Sequence, residues 1–238
     1  MYGWRSRVGL LVPSSNTTME PEFYKMAPEG VSVHTARMKL VNVTERDLLE
    51  MEKQAVSAAE KLKDAAVDLI LYGCTSGSLI KGKDYDVRIA GELERQVGVK
   101  SITTSTAVLK ALEELDVSKL SVATPYVDDI NEKEKRFLEE NGFEVAKIEG
   151  LGLESNVEIG RRDPWVAYRL ARKVYTSGVD AIFISCTNFR TVEVIDPLER
   201  DLGVPVVTSN QASMWFALRS LGVKGRYDQY GELMREHL

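Results

Sequence analysis

The two cysteines of this sequence stand in matching contexts, each at the end of an apolar segment. Cys74 follows VDLILYG (67–73), Cys186 follows VDAIFIS (179–185), and a threonine comes next in both cases. A thiol acts as a base or nucleophile only as its thiolate, and its ordinary pKa of about 8.5 leaves a minority ionised near neutrality. Free backbone N–H groups and a helix N-terminus after each segment would favour the negative charge.

Two thiols on opposite faces of a bound carbon can remove and return a proton, or one can add to a double bond while the other assists. Neither role needs a cofactor, and we expect none. The cysteines and the two histidines are too few and too scattered for a zinc site or a disulfide framework, so we expect no metal. The polar residues after the cysteines offer N–H groups and side chains that could hold a substrate carboxylate. They are Thr75, Ser76, Thr187 and Asn188.

The cysteine segments belong to an internal repeat, because they align with each other at an offset of 112 residues. The same offset places RVGLLVPSS (7–15) on KLSVATPYV (119–127). A third pair, GVKSITTS (98–105) and GVPVVTSN (203–210), aligns at an offset of 105, as if one insertion or deletion separates it. Three ordered matches predict two similar lobes.

Buried strands and amphipathic helices alternate along the chain, which predicts an α/β fold with parallel sheets and helices on both faces of each sheet. The expected strands are 7–12, 31–38, 67–73, 99–103, 120–124, 143–150, 179–185 and 204–208. The expected helices are 44–66, 84–97, 105–115, 128–141, 164–178 and 210–221. We expect two α/β/α sandwich lobes related by a pseudo-twofold axis. One comprises residues 1–114 plus 208–238, and the other residues 115–207.

In open parallel sheets, ligand sites form beyond the carboxyl ends of the strands. The segments Pro13–Asn16 and Pro125–Tyr126 lie there, as do the two Cys-Thr segments. If the lobes face each other, all these loops line one cleft with a cysteine on either side. For two of these residues a purely structural interpretation remains open. Asn16 could simply cap a helix that begins near Thr17, and Tyr126 could be a buried aromatic residue.

Five motifs spread along nearly the whole chain resemble one known family. The sequence is similar to the aspartate/glutamate racemase superfamily and, within it, to the maleate cis-trans isomerase and arylmalonate decarboxylase group. The motifs are GLLVPSSNTTMEPEF (9–23), LYGCTSGS (71–78), ATPY (123–126), ESNVEIGRRDP (154–164) and ISCTNFR (184–190).

The resemblance implies a role for each of the main candidate residues. Cys74 would add to the alkene of maleate and give a succinyl-type adduct, and rotation about the new single bond followed by elimination would give fumarate. Cys186 would be the proton donor or partner. Asn16, Tyr126 and Asn156 match positions that the family uses to hold the carboxylates or to stabilise the enolate-like intermediate.

The same resemblance favours some activities of the family over others. The decarboxylases keep only the second cysteine, so the presence of both thiols favours an isomerase or a racemase. The opening motif PSSNTTME (13–20) favours the isomerase. A racemase or epimerase that uses the thiols as acid and base remains the alternative. An arylmalonate-type decarboxylase and a non-catalytic binding or redox-sensing protein are less favoured.

The composition limits the partners. With 31 Lys+Arg against 36 Asp+Glu, the net charge of −5 argues against a general nucleic-acid binder. No apolar run is long enough for a membrane span, and the N-terminus lacks the pattern of a signal peptide, so we expect a cytoplasmic protein that acts on a small carboxylate. The resemblance implies a homodimer, with Trp4, Trp215 and Phe216 as candidate interface residues.

Overall fold

Two four-stranded parallel sheets form the framework of the protein, whose computed structural model describes residues 1–238. The strands of the first sheet are β1 (Ser6–Pro13), β2 (Val31–Met38), β3 (Leu69–Tyr72) and β4 (Ser101–Thr103). Those of the second are β5 (Lys119–Thr124), β6 (Glu144–Gly150), β7 (Ala181–Ile184) and β8 (Val206–Thr208). The strand orders are β2-β1-β3-β4 and β6-β5-β7-β8. The predicted α/β class with two parallel sheets is therefore confirmed.

The internal repeat extends to the pairing register of the two sheets. Val8 of β1 pairs with Leu69 of β3, and Leu120 of β5 pairs with Ala181 of β7. Both partners in the second sheet lie 112 residues after those in the first, which is the offset of the sequence repeat. The two Cys-Thr segments therefore follow equivalent strands, at the carboxyl end of each sheet.

Helices cover both sheets and connect their strands. Those between the strands of the first sheet are α1 (Met19–Met26), α2 (Glu45–Glu52), α3 (Ala55–Asp64), α4 (Thr75–Leu79) and α5 (Tyr85–Val97). Helix α6 (Thr104–Glu114) joins the sheets. The remaining helices are α7 (Asp128–Glu140), α8 (Asn156–Gly160), α9 (Pro164–Val174), α10 (Ile195–Leu202), α11 (Ser209–Ser220) and α12 (Gly231–Glu236). The short helices α4, α8, α10 and α12 were not expected from the sequence.

The predicted helix 44–66 is wrong in one respect, because the chain breaks it into α2 and α3. The side chain of Gln54 accepts a hydrogen bond from the Lys39 backbone N–H at 2.9 Å, which fastens the break to the segment after β2. Thr44 begins α2 by accepting from the Asp47 N–H at 3.2 Å, as its position predicted.

The last long helix packs on elements from the first half of the chain. Helix α11 contacts α6 and α1, so its N-terminus lies between the two sheets. The lobe boundaries themselves stay a prediction. Trp215 of α11 is only 2 % exposed and its indole N–H donates to the His237 carbonyl at 3.0 Å, so its expected place in an interface is wrong. Trp4 is 61 % exposed. None of the helices combines the length and apolar character needed to cross a membrane.

Candidate active site

Cys74 lies where β3 ends and is the N-cap of α4. Its Sγ accepts a hydrogen bond from the Gly77 backbone N–H at 3.3 Å, and the Ser76 hydroxyl lies 3.8 Å away. The backbone N–H groups of Thr75 and Ser76 have no hydrogen-bond partner within the protein, as expected in the first turn of a helix. The Cys74 loop (residues 73–78) therefore directs several donors toward the thiol and toward any anion beside it.

Cys186 follows β7 and has a backbone φ of 95°, in the left-handed region that residues with a side chain rarely adopt. Its N–H donates to the Ser209 Oγ at 3.0 Å, and its Sγ accepts from the Asn188 N–H at 3.3 Å. A strained backbone of this kind persists only where the surroundings hold it, and such residues cluster at functional sites. The Cys186 loop (residues 185–194) is held in this way.

Tyr126 lies near both thiols. It is 1 % exposed, and it acts to lower the pKa of the nearby Cys186 thiol. Burial raises the pKa of Tyr126 well above its ordinary value, and negative charge on Cys186 and on Cys74 raises it further. Both cysteines are thus close enough to interact electrostatically with one phenol, as expected if they line one site.

Burial also dominates the acidity of the thiols. It raises the pKa of Cys74 to about 11, although the hydrogen bonds from Gly77 and Ser76 act in the opposite direction. It raises the pKa of Cys186 to about 12, against the hydrogen bonds of Tyr126 and Asn188. Both sulfurs therefore hold their protons predominantly at neutral pH, and the surrounding donors are what favour the thiolate.

Hydrogen bonds between the two sheets join the cysteine loops directly. The Thr75 hydroxyl donates to the Ser209 Oγ at 2.9 Å, and the same oxygen accepts the Cys186 N–H. The Thr187 hydroxyl donates to the Gly73 carbonyl at 3.2 Å. Ser209 was missed in the sequence, although it lies within the third repeat pair and directly follows the carboxyl end of β8.

Asn16 caps the start of α1, which is one of the two roles that the sequence left open, and it also reaches the Cys186 loop. Its Oδ1 accepts from the Thr18 and Met19 N–H groups at 3.0 and 2.9 Å, which satisfies the start of α1. Its Nδ2 donates to the Thr187 hydroxyl at 3.1 Å and so reaches the Cys186 loop. Substrate binding by Asn16 remains a prediction.

Hydrogen bonds link Asn156 and Asn188 to each other and to the loop after β1. The Asn188 Oδ1 accepts from the Thr17 N–H at 2.8 Å, and its Nδ2 donates to the Asn156 carbonyl at 2.6 Å. The Asn156 Nδ2 donates to the Ser15 hydroxyl at 2.8 Å. Asn156 begins α8 and does not lie in an irregular loop as the sequence suggested. Both the Oδ1 and the Nδ2 of Asn188 are hydrogen-bonded within the protein. Its contact with substrate remains a prediction.

Two loops that follow repeat-related strands meet beside this cluster. The Val43 N–H donates to the Glu154 carbonyl at 2.7 Å, and the Asn156 N–H donates to the Val41 carbonyl at 3.1 Å. Val43 and the neighbouring Leu40 belong to the buried cluster that contains both cysteines and Tyr126. Cys74 and Cys186 are only 4 and 5 % exposed, so both thiols lie below the protein surface.

Two buried glutamates lie next to the site and were not identified from the sequence. Glu22 of α1 and Glu134 of α7 occupy repeat-equivalent positions, 112 residues apart. Burial raises the pKa of Glu22 to about 7 and that of Glu134 to about 8. The Ser185 hydroxyl, directly before Cys186, donates to the Glu134 Oε1 at 2.5 Å, and the Glu134 Oε2 has no partner.

The arrangement can perform acid–base or nucleophilic chemistry on a small anion. One thiol lies at each of two repeat-equivalent loops, with the Tyr126 hydroxyl against Cys186. The Thr187 N–H, like those of Thr75 and Ser76, has no partner within the protein. Each loop therefore offers free backbone donors of the kind that hold carboxylates.

Comparison with known proteins gives consistent results. A family model described as arylmalonate decarboxylase matches residues 8–234. The maleate isomerase of Nocardia farcinica is 29 % identical over 97 % of this chain and 96 % of its own length, and that of Geobacillus stearothermophilus is 27 % identical over 96 % of each. A structure of a cysteine-to-serine variant of the Nocardia farcinica enzyme with a covalently bound succinylcysteine intermediate matches with a TM-score of 0.93, at 27 % identity, over 97 % of this chain and 98 % of that one.

Proposed function

The chain belongs to the arylmalonate decarboxylase family, and on that premise we propose that it is a cofactor-independent cis-trans isomerase that converts maleate to fumarate. The observation that carries the proposal is the pair of thiols, Cys74 and Cys186, at repeat-equivalent loops that the Ser209 hydroxyl joins by hydrogen bonds. The maleate isomerases among its relatives support the choice of reaction and of a small dicarboxylate substrate.

The first half of the reaction forms a covalent adduct on Cys74. Cys74 reacts as its minority thiolate form, after its proton has passed to solvent. The sulfur attacks one alkene carbon, a C–S bond forms, and the π electron pair moves to the adjacent carbon and its carboxylate. The Cys186 thiol then gives its proton to that carbon and becomes a thiolate. The product of these steps is a succinyl thioether with an ordinary single bond between the two former alkene carbons.

The second half reverses the first after rotation. Rotation about the single bond brings the carboxylates to opposite sides, and the Cys186 thiolate removes a proton from the carbon that it protonated. The electron pair of that C–H bond reforms the double bond as the C–S bond breaks, and its electrons return to the Cys74 sulfur. Fumarate leaves, Cys74 is again a thiolate and Cys186 again a thiol, and no oxidant, reductant or external proton is consumed.

The free donors of the two loops fit the charges of this reaction. We assign one carboxylate to the N–H groups of Thr75 and Ser76 and the other to the Thr187 N–H, with Asn16 and Asn156 as neighbouring supports. The Tyr126 hydroxyl, which acts on the pKa of Cys186, can stabilise the enolate-like charge that develops before protonation. Rotation requires that at least one carboxylate exchange its donors.

Proton NMR of the reduced protein with maleate tests the proposal, because fumarate gives a separate vinyl signal. We expect fumarate with the unaltered protein and none with Cys74→Ala, with both proteins folded by circular dichroism. Undiminished turnover by Cys74→Ala would eliminate the covalent mechanism. If the unaltered protein gives no fumarate, maleate is not the substrate, and deuterium exchange at the α-carbon of candidate acids then tests the racemase alternative. The homodimer and the cytoplasmic location stay predictions.

A further inference from the structure

The chain takes different paths after its two cysteines. After Cys74 it forms α4 at once, whereas residues 187–194 after Cys186 form no helix. A helix satisfies its own backbone groups, but an irregular buried loop needs acceptors from elsewhere, because an unpaired buried N–H group is costly. Thr191 and Val192 in the Cys186 loop are both buried. Their N–H groups must therefore be satisfied by another part of the molecule.

Glu22 of α1 supplies these acceptors. Its Oε1 accepts from the Thr191 N–H at 2.7 Å and from the Val192 N–H at 3.2 Å. Its Oε2 accepts from the Asn210 Nδ2 at 2.6 Å, and the same Nδ2 donates to the Thr187 carbonyl at 3.0 Å. One carboxylate, 2 % exposed, thus holds the far end of the loop directly and the peptide next to Cys186 through Asn210.

The repeat-equivalent glutamate does not have this role. Glu134 accepts a hydrogen bond only from the Ser185 hydroxyl, and its second oxygen has no partner. On the first loop, the residue equivalent to Asn210 is Ser105, whose hydroxyl lies 3.2 Å from the Thr75 carbonyl. The bonds of Glu22 are therefore a particular feature of the Cys186 loop and do not follow from the duplicated fold.

We propose that Glu22 is a positioning residue, which keeps Cys186 in its left-handed backbone conformation and so directs its thiol toward the bound substrate. A φ of 95° is stable only while the following peptide is fixed, and the Asn210–Thr187 bond fixes it. The inference rests on the proposed function, in which Cys186 transfers the proton. Misplacement of that thiol would slow proton transfer more than it weakens the binding of maleate.

Glu22→Gln is the informative substitution. Its Oε1 can still accept from Thr191 and Val192, but its amide N–H₂ would face the Asn210 Nδ2, so that two donors oppose each other. We expect kcat to fall by about 10- to 100-fold, with a smaller change in KM. Alkylation by iodoacetamide, followed for each cysteine by mass spectrometry, should be about fivefold or more faster at Cys186 and unchanged within about twofold at Cys74.

The matched control is Glu193→Gln in the same loop, where the partly buried carboxylate pairs with Lys25 and Arg190. It should change neither alkylation rate. Asn210→Ala provides a second variant, because it removes only the link from Glu22 to Thr187, and it too should accelerate Cys186 selectively. If Glu22→Gln fails to fold, this variant alone decides the matter.

Equal acceleration at both cysteines would mean a general structural role and overturn the inference, as would unchanged rates in both variants. Alkylation does not depend on turnover of maleate. An inactive unaltered protein would therefore refute the proposed function while the labelling still tests the role of Glu22.

Discussion

The Thr75 hydroxyl donates a hydrogen bond to the Ser209 Oγ at 2.9 Å, across the boundary between the two sheets. Because the same oxygen accepts the Cys186 N–H at 3.0 Å, one serine sets the relative positions of the residue after Cys74 and of Cys186 itself. The two thiols are therefore not positioned independently.

Ser209→Ala removes this shared acceptor and leaves a buried N–H and a buried hydroxyl without a partner. We expect a loss of about 1 to 3 kcal/mol in the free energy of unfolding and a fall in kcat/KM of about 10- to 100-fold. Urea unfolding and steady-state kinetics measure the two effects. Ser213→Ala is the control, since Ser213 is equally buried on α11 but bonds only to the Thr104 hydroxyl. Equal losses of activity in both variants would contradict a specific role for Ser209.

Cys186→Ser should separate adduct formation from turnover. A serine hydroxyl is a much weaker acid than a thiol, so proton return to the adduct and its removal both slow, while Cys74 keeps its Gly77 N–H donor. We expect little turnover and a mass increase of one maleic acid on the peptide that contains Cys74, measured by mass spectrometry after acid quenching. Cys74→Ala treated in the same way should carry no added mass. An adduct on any other residue would be inconsistent with the assigned nucleophile.

The sequence was sufficient to predict the framework and the location of the site. Strands appear as β-branched apolar runs because both faces of a parallel sheet are buried, and all eight were found. The repeat placed the two cysteines at equivalent strand ends. The pairing register of the central strands, which the sequence pattern does not state, follows the same offset in β1–β3 and β5–β7.

The details that depend on distant contacts were not predictable. The left-handed conformation of Cys186 depends on Ser209, and the break after α2 depends on the bond from Lys39 to Gln54. Glu22 has the appearance of an ordinary acidic residue in the first turn of a helix. Only the packing of α1 against the second half of the chain reveals that it is buried and holds a loop.

Gly77→Ala should disturb Cys74 at only a small cost to the stability of the fold. A Cβ at this position would lie 3.0 Å from the Cys74 Sγ and from the Met51 Cε, so the thiol must move. We expect a fall in kcat of about tenfold or more, while helix propensity offsets part of the steric strain. Gly91→Ala on α5 is the control, because nothing lies within 4 Å of its added Cβ. It should be slightly more stable in thermal unfolding and fully active, and a loss of activity there would discredit the steric argument.

Glu134→Gln should change how stability depends on pH. Burial raises the pKa of Glu134 from 4.5 to about 8, so between these values the folded protein keeps a proton that the unfolded chain has lost. Its contribution to stability is therefore complete below about pH 4.5 and declines as the pH rises to about 8. Glutamine does not titrate. Glu22 is present in both proteins, so its titration cancels in the difference between their free energies of unfolding.

Relative to the unaltered protein, Glu134→Gln should thus gain stability from about pH 5 to about pH 8.5, by on the order of 3 to 5 kcal/mol. Urea unfolding at several pH values measures the difference. Glu193→Gln serves as the control, because hydrogen bonds from Arg190 and Lys25 outweigh partial burial and lower the pKa of Glu193 to about 2, below this range. Its stability difference should be constant across these pH values. A constant difference for Glu134→Gln as well would mean that Glu134 is ionised in the folded protein at neutral pH.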